Sequence, residues 1–398
     1  MKQKLFLLLS FLTTNLLFAQ IDKYNFRDIN ISNGLSNNTI TSIKEDKFGQ
    51  IWFGTSNGLN KYNGKEFTVY RNVPRDKFSI SNSEINDVLV DRDGYVWVGT
   101  INGLNRYDPK NDVFERFYRR SNRFSLTNSL IICSLEMAKG NIWFGTANGV
   151  SIYDKKKDRF KRFLQGNSNK NSKSIHDIYR DKENRIWLAT NKGIIKVAFD
   201  KNKKFVVKEY TINKKRTNFN INSILEVSPN IIGLGTKFDG YLFFNIKTEK
   251  FVRPKGINIS ENLDVRDLEF DNDNNLWIAT TSGLFIVTPE NKTISIKEND
   301  RENNGSIQNY IRRIYKDKNG FMWLATQNRG IITWDKSYQN FLQLKNNNLY
   351  NNITNDIVTD SDNNIYFGTE GGVLNLLDQK GDISEIFRIN TLDKNINT

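Results

Sequence analysis

The sequence predicts an all-β fold, a β-propeller of four-stranded antiparallel blades, and three observations lead there. One tryptophan-centred segment recurs eight times, each copy parses into four short strands, and almost nothing in the chain has helical periodicity. The anchor positions 52, 97, 143, 187, 233, 277, 323 and 366 are 43 to 46 residues apart. A regular period of that length is the mark of stacked repeats, none of which buries its apolar faces alone.

Each unit opens with an alternating apolar strand such as Ile40-Thr-Ser-Ile43 or Ile85-Asn-Asp-Val88. A tight turn of the form Asp-x-x-Gly follows. Gly49, Gly94, Gly140 and Gly320 close it in four copies, and Asn184, Asn230, Asn274 and Asn363 in the others. Gly and Asn tolerate positive φ, so this position is expected to be left-handed. The strand Ile-Trp-Phe-Gly-Thr comes next, then a second turn ending in Gly, then Leu-x-x-Tyr, and a fourth strand such as Phe67-Thr-Val-Tyr70. The repeated residues read as scaffold. Trp fills the wedge between blades, Gly or Ala two residues later admits a neighbouring backbone, and Thr satisfies a buried backbone group near the axis. Asp46, Asp91, Asp181, Asp271, Asp317 and Asp360 bond their own turn amides, with Met137 and Val227 in the third and fifth copies. Carboxylates spread one per blade do not converge on a substrate, which argues against an enzyme.

Residues 1–19 read as a signal peptide. Lys2 and Lys4 precede the apolar run Leu5–Phe18, Ala19 is a small residue for cleavage, and Ser10, Thr13, Thr14 and Asn15 make the run too polar for a membrane span. The expected location is therefore periplasmic. Cys133 is the sole cysteine, so no internal disulfide forms, and packing of 38% apolar residues including 27 Phe must hold the fold. Export makes nucleic acid an implausible partner for the net charge of +14. No residue set suggests a metal or another cofactor.

The motif closely resembles the two-component regulator propeller repeat, D-x-x-G-x-[IV]-W-[IVF]-G-T-x-x-G-L-x-x-[YF], over about residues 24 to 390. The fifth copy departs most, with Gly233 for Trp and an extra residue before Gly240. The resemblance implies the extracytoplasmic sensor of a histidine kinase, of the kind found in hybrid two-component systems of Bacteroidota. There, two seven-bladed propellers, an immunoglobulin-like domain and a membrane helix precede the kinase. It also implies a glycan as the ligand and a histidine kinase module as the partner. The chain ends at Thr398 without a spanning helix, a kinase motif or a DNA-binding module, so it reads as a truncated sensor or a stand-alone binding protein. His176, the only histidine, lies in Ser174-Ile-His-Asp-Ile178 and reads as an ordinary strand residue.

Asn25–Asn30 looks like an orphan fourth strand that closes a ring, and Asn340–Lys345 repeats its grammar. Residues 24–337 are therefore expected to form a seven-bladed ring and 338–398 the first blade of a second, incomplete one. The alternative is a single eight-bladed ring.

Ligands of propellers bind where the d–a and b–c connections emerge. Four successive d–a loops hold eleven cations (Arg71, Arg75, Lys77; Arg119, Arg120, Arg123; Lys170, Lys173; Lys214, Lys215, Arg216) against Asp76 alone. The next two reverse the balance, with Arg253, Lys255 and Arg301 against Glu261, Asp264, Glu298, Asp300 and Glu302. The b–c turns add Lys192, Lys237 and Arg329. Arg75, Arg120, Arg123, Lys192, Arg216, Lys237 and Arg329 are the candidate ligand-binding residues, suited to an acidic or sulfated glycan or another anionic ligand. Two other functions compete: a surface protein-interaction scaffold, and a propeller glycosidase or lyase, which would need a convergent acid/base pair.

Overall fold

The computed structural model describes residues 24, 26–138, 140–166, 173–200, 204–211, 220–296, 310–336, 354–362, 364–370, 372–377 and 383–388. The signal segment, the Asn340–Lys345 segment, Asn363 and the loop residues Lys170, Lys214, Lys215 and Arg216 lie outside them. Among the described residues there is no α-helix, and the strands form eight antiparallel sheets of four. The chain divides into two compact units, Met1–Lys336 and Ser337–Thr398.

The first unit holds seven of the sheets. Their innermost strands, here strand a of blades 1 to 7, are Ile40–Glu45, Ile85–Val90, Ile131–Glu136, Ile175–Arg180, Ile221–Ser228, Val265–Phe270 and Ile311–Lys316. Blade 7 takes its fourth strand from the start of the chain: Phe26–Ile29 pairs with Ile331–Trp334, Phe26 opposite Trp334. Its Trp323 and Ala325 then pack with Ile40, Ile43 and Phe53 of blade 1, so the seven sheets close into a ring. Joining the first strand to the last blade ties the ring shut by backbone hydrogen bonds and leaves no open sheet face at the seam.

Each interface repeats one packing unit. Trp52 is buried against Ile85, Val88 and Val96 of the next blade, and Trp97, Trp187 and Trp277 are equally buried against theirs. The glycine two residues on is needed because a side chain, rather than a backbone as the sequence suggested, occupies its place. A Cβ on Gly54 would lie 2.7 Å from Ile85, and one on Gly99 would lie 2.6 Å from Ile131. Asp46, Asp91, Asp181, Asp271 and Asp317 accept amides of their own turns. With the second carboxylate oxygen each accepts the indole Nε1 of the motif Trp at 2.8–3.0 Å. That contact satisfies the one polar atom of a buried indole. The motif Thr donates to the buried Gly carbonyl of its own b–c turn, Thr55 to Gly58 at 2.8 Å, so the buried backbone group expected from the sequence is this carbonyl, and the bond closes the turn. Gly49, Gly94, Gly140, Gly320, Asn184, Asn230 and Asn274 all have positive φ, as the turn requires.

The second unit is one sheet of Thr354–Thr359, Ile365–Thr369, Val373–Leu377 and Ile383–Arg388, in the same strand order as a ring blade and with the same slip between its first two strands. Among the described residues no helix is long and apolar enough to cross a membrane.

Candidate functional site

The polar axis of the ring arises from a backbone irregularity that every blade carries. Strand a slips register with its neighbour between Ile40 and Ser42, and at the corresponding pairs in blades 2 to 7. The extra residue of each β-bulge is Thr41, Asn86, Ile132, His176, Asn222, Arg266 or Arg312 in turn. A bulge leaves one residue out of the ladder and re-aims its side chain. The slip falls at the end of strand a that pairs with Thr55 and its equivalents, beside the b–c turns. These side chains therefore ring the axis at the face where the b–c turns and d–a loops emerge.

Three of them stitch one blade to the next. Asn86 Nδ2 donates to the Ile131 carbonyl at 2.8 Å, and Asn222 Nδ2 to that of Val265 at 2.8 Å. His176 Nδ1 lies 3.2 Å from the Ile221 carbonyl, so the imidazole must carry its proton there. Burial brings the pKa of His176 down to about 4; the contact with the Ile221 carbonyl opposes this, and the charges of Arg266, Arg313 and Lys237 add to it. The sole histidine is thus a neutral donor in the ring and not an ordinary strand residue.

One residue deeper, Asp87, Asp177 and Asp267 alternate around the axis with Ser42, Cys133, Ser223 and Arg313. Asp87 accepts from Ser42 Oγ at 3.2 Å and Ser134 Oγ at 2.5 Å, from the blades on either side. Asp177 and Asp267 accept the Ile224 and Ile314 amides at 2.8 and 2.9 Å, again across a blade boundary. The Arg313 guanidinium feels Asp267, Asp177 and Asp87, from blades 6, 4 and 2, and these carboxylates raise its pKa against the opposing effect of burial. Groups on alternate blades interact in this way only if all face one axis. Burial pushes the Asp177 carboxyl up to about 6, with Arg313 opposing and Asp267 adding to the shift. Among the described residues no group of three or more His, Cys, Asp or Glu could hold a metal ion.

Cationic charge gathers at the mouth on blades 5 to 7. Arg266 and Arg312 place their guanidinium carbons 5.5 and 5.7 Å from the centroid of the Tyr310 ring. Arg266 Nη1 is 3.6 Å from Asp264, whose carboxylate also accepts Asn222 Nδ2 at 2.9 Å. Arg312 Nη1 donates to Gln327 Oε1 in the b–c turn of blade 7. Neither arginine was singled out in the sequence. Their only signal there is a charged residue directly after the first apolar residue of a strand buried on both sides.

The residues that the sequence did single out are spread over this face. Lys237, in the b–c turn of blade 5, is exposed beside Phe238 and near enough to His176 and Asp264 to act on both. Arg329 instead turns to Asp28 on the closing strand, Nε at 2.9 Å, and so locks the seam. Lys192 is exposed on its turn, and Arg75 is exposed with a positive φ of 68°. Arg120 and Arg123 belong to a loop that Arg162 clamps, donating to the Arg120 and Asn122 carbonyls at 2.6 and 2.8 Å. Arg123 stacks on Phe124 at 4.8 Å and borders a groove of about 480 Å³ at the outer edge of blade 3. Arg216 lies outside the described residues. The seven are therefore not one cluster: Lys237 reaches the axis, while Arg123 serves the rim.

A closed ring of four-stranded antiparallel blades about a polar axis defines a β-propeller. Within that class, five segments of the chain, residues 34–57, 79–102, 169–192, 305–328 and 338–371, match the model of the two component regulator propeller. Over 74 residues, 19% of the chain, it is 43% identical to histidine kinase P4 of Formosa agariphila, of which that stretch is 5%. Its fold is similar to the extracellular domain of BT3049, a candidate hybrid two component system of B. thetaiotaomicron, with a TM-score of 0.67 and 25% identity. That match covers 93% of this chain and 50% of the other, so the chain spans about half that domain's length. Virginiamycin B lyase of Staphylococcus aureus shares the fold at 14% identity and a TM-score of 0.59, covering 78% of this chain and 99% of the lyase.

Proposed function

We propose that the chain is the ligand-binding part of an extracytoplasmic sensor, exported through a cleaved signal peptide to the periplasm, that reports to a histidine kinase module by detecting a glycan. The observation that carries this reading is the pairing of sensor-type repeats with a channel mouth lined by hydrogen-bonding and cationic side chains. A binding role also fits the chemistry of the axis better than a lyase or glycosidase role. The only histidine holds a backbone carbonyl, and the axial carboxylates are engaged in joining blades. The test is calorimetry of the purified chain against a panel of neutral, uronate-containing and sulfated oligosaccharides at physiological salt. Micromolar binding of one class supports the reading; binding to none of them, or turnover of one, overturns it.

The sheet of residues 354–388 supports a second proposal, that it is the first blade of another ring. Ile357, Val358, Ile386 and Phe387 are exposed by 48–63%, an apolar surface of the kind that ring blades bury against neighbours. Deleting residues 338–398 is expected to leave the melting of the seven-blade ring unchanged; collapse of the ring would favour a single eight-bladed assembly.

A further inference from the structure

We propose that Arg266 and Arg312 form an oxyanion clamp at the channel mouth, taking the carboxylate or sulfate ester of an acidic sugar. This rests on reading the mouth as the ligand site, and it names the group that site would hold.

The argument starts from what the bulge position does elsewhere. In blades 2, 4 and 5 the bulge side chain is engaged by the next blade's carbonyl. In blades 6 and 7 the same position carries arginine, and both guanidiniums gather at one ring, Tyr310. Their hydrogen bonding is incomplete. Arg266 Nε is buried and, among the described residues, has no partner, and its contact with Asp264 is an ion pair through Nη1 at 3.6 Å. Among the described residues Arg312 donates only to a neutral amide oxygen, through Nη1. A guanidinium has five donors in a planar fork, so among the described residues most donors of the pair have no acceptor.

Their charges are also incompletely matched. Arg312 is half-buried, and burial weakens its charged form first; Tyr310 opposes this, Arg266 and Arg313 add to it, and Glu84 opposes it. Asp264 is already shared between Arg266 and Asn222. Lys237 adds a further positive charge at the edge. An anion placed between the two forks would complete the Arg266 donors and relieve the repulsion between the cations, and it would do so only when charged. The protein supplies position and donors in this scheme; no bond is made or broken.

The experiment measures binding of a galacturonate trisaccharide, its methyl ester and a sulfated galactose trisaccharide to the full chain at 0.15 M salt. It uses wild type, Arg266→Gln, Arg312→Gln and, as a control on the outer loops, Arg123→Gln. Where a charged sugar binds, the clamp requires the methyl ester to bind at least about 10-fold more weakly than the galacturonate, and each mouth substitution to weaken charged binding at least about 10-fold. Arg123→Gln should change it less than about 2-fold. Equal binding of acid and ester, or charged binding untouched by Arg266→Gln and Arg312→Gln, overturns the clamp. Sodium sulfate and sodium acetate titrated by NMR against the arginine Nε–H signals separate the two readings. If these ions shift the Arg266 and Arg312 signals but no sugar binds, the clamp stands and glycan sensing falls. If neither ions nor charged sugars act at millimolar concentration, the clamp falls. Should a glutamine variant misfold, Arg312→Lys keeps the charge and loses the fork, and it must still weaken galacturonate binding.

Discussion

The same repeat occurs in two settings, seven times in a ring and once in a separate sheet, and identical residues do different things in each. Ile43 and Val88 are 3% and 0% exposed, whereas Ile357, at the same place in its strand, is 63% exposed. A Cβ on Gly99 would collide with Ile131 at 2.6 Å, yet one on Gly368 would meet nothing within 4 Å. Five ring blades bond the indole of the motif Trp to the turn aspartate; in the separate sheet Tyr366 donates its hydroxyl to Asp360 at 3.1 Å instead. Local strand and turn chemistry is thus complete within one blade. Burial is a property of the interface, and a blade acquires it only from neighbours.

The widest separation between the two settings is expected at the aromatic anchor. Trp97→Ala removes a buried indole and should cost the ring about 3–5 kcal/mol, while Tyr366→Ala, on a half-buried position, should leave the ring as it is. The seven tryptophans all lie between residues 52 and 334, so tryptophan emission during urea unfolding reports the ring alone. Comparable loss of ring stability in both variants would mean that the two units share an interface.

A smaller effect is expected at the glycines. Gly99→Ala forces a methyl against Ile131 and should cost about 1–3 kcal/mol, against about 0.5 kcal/mol or less for Gly368→Ala. Far-ultraviolet circular dichroism during denaturation, combined with hydrogen exchange over residues 354–388, reads both. If Gly368→Ala were as costly as Gly99→Ala, the glycine would be there for its own strand and not for the next blade.

How far the sequence reached follows from this division. The Trp-x-Gly-Thr core, the Asp-x-x-Gly turn and its positive φ recur with fixed spacing, so blades could be counted and their strands bounded from the residues alone. Even the indole–aspartate bond was latent in the constant six-residue interval from Asp46 to Trp52. The axis was less legible. Charges in the d–a loops stand out because they break the repeat, and they drew attention to Arg75, Arg120 and Arg123. Arg266 and Arg312 meet at Tyr310 only because a bulge turns one residue of strand a out of the ladder and ring closure brings blades 6 and 7 together. Neither event leaves a motif, and the two arginines sit 46 residues apart in a strand that reads as core.

The axis offers the subtlest contrast, between His176 and its neighbour Asp177, with Asp356 of the separate sheet as the reference. The His176 pKa falls from its ordinary 6.5 to about 4, so the neutral form is favoured in the fold, and the stability this gives is present above pH 6.5 and lost as pH falls through about 4. The Asp177 pKa rises from 3.8 to about 6, so its contribution is present below pH 3.8 and lost as pH rises through about 6. Over the same window one term rises with pH and the other falls, and the wild-type ring should show little net slope from this pair. Asp177→Asn removes the falling term, so ring stability should then climb between pH 4 and 6.5 by about 1–2 kcal/mol. His176→Asn keeps a side-chain donor for the Ile221 carbonyl, removes the rising term and should give the opposite slope. Asp356→Asn, at an exposed position of the other sheet, is the control variant. Urea midpoints from tryptophan emission at half-unit steps of pH measure all three, and parallel profiles for Asp177→Asn and His176→Asn would show that the two groups do not titrate against each other at the axis.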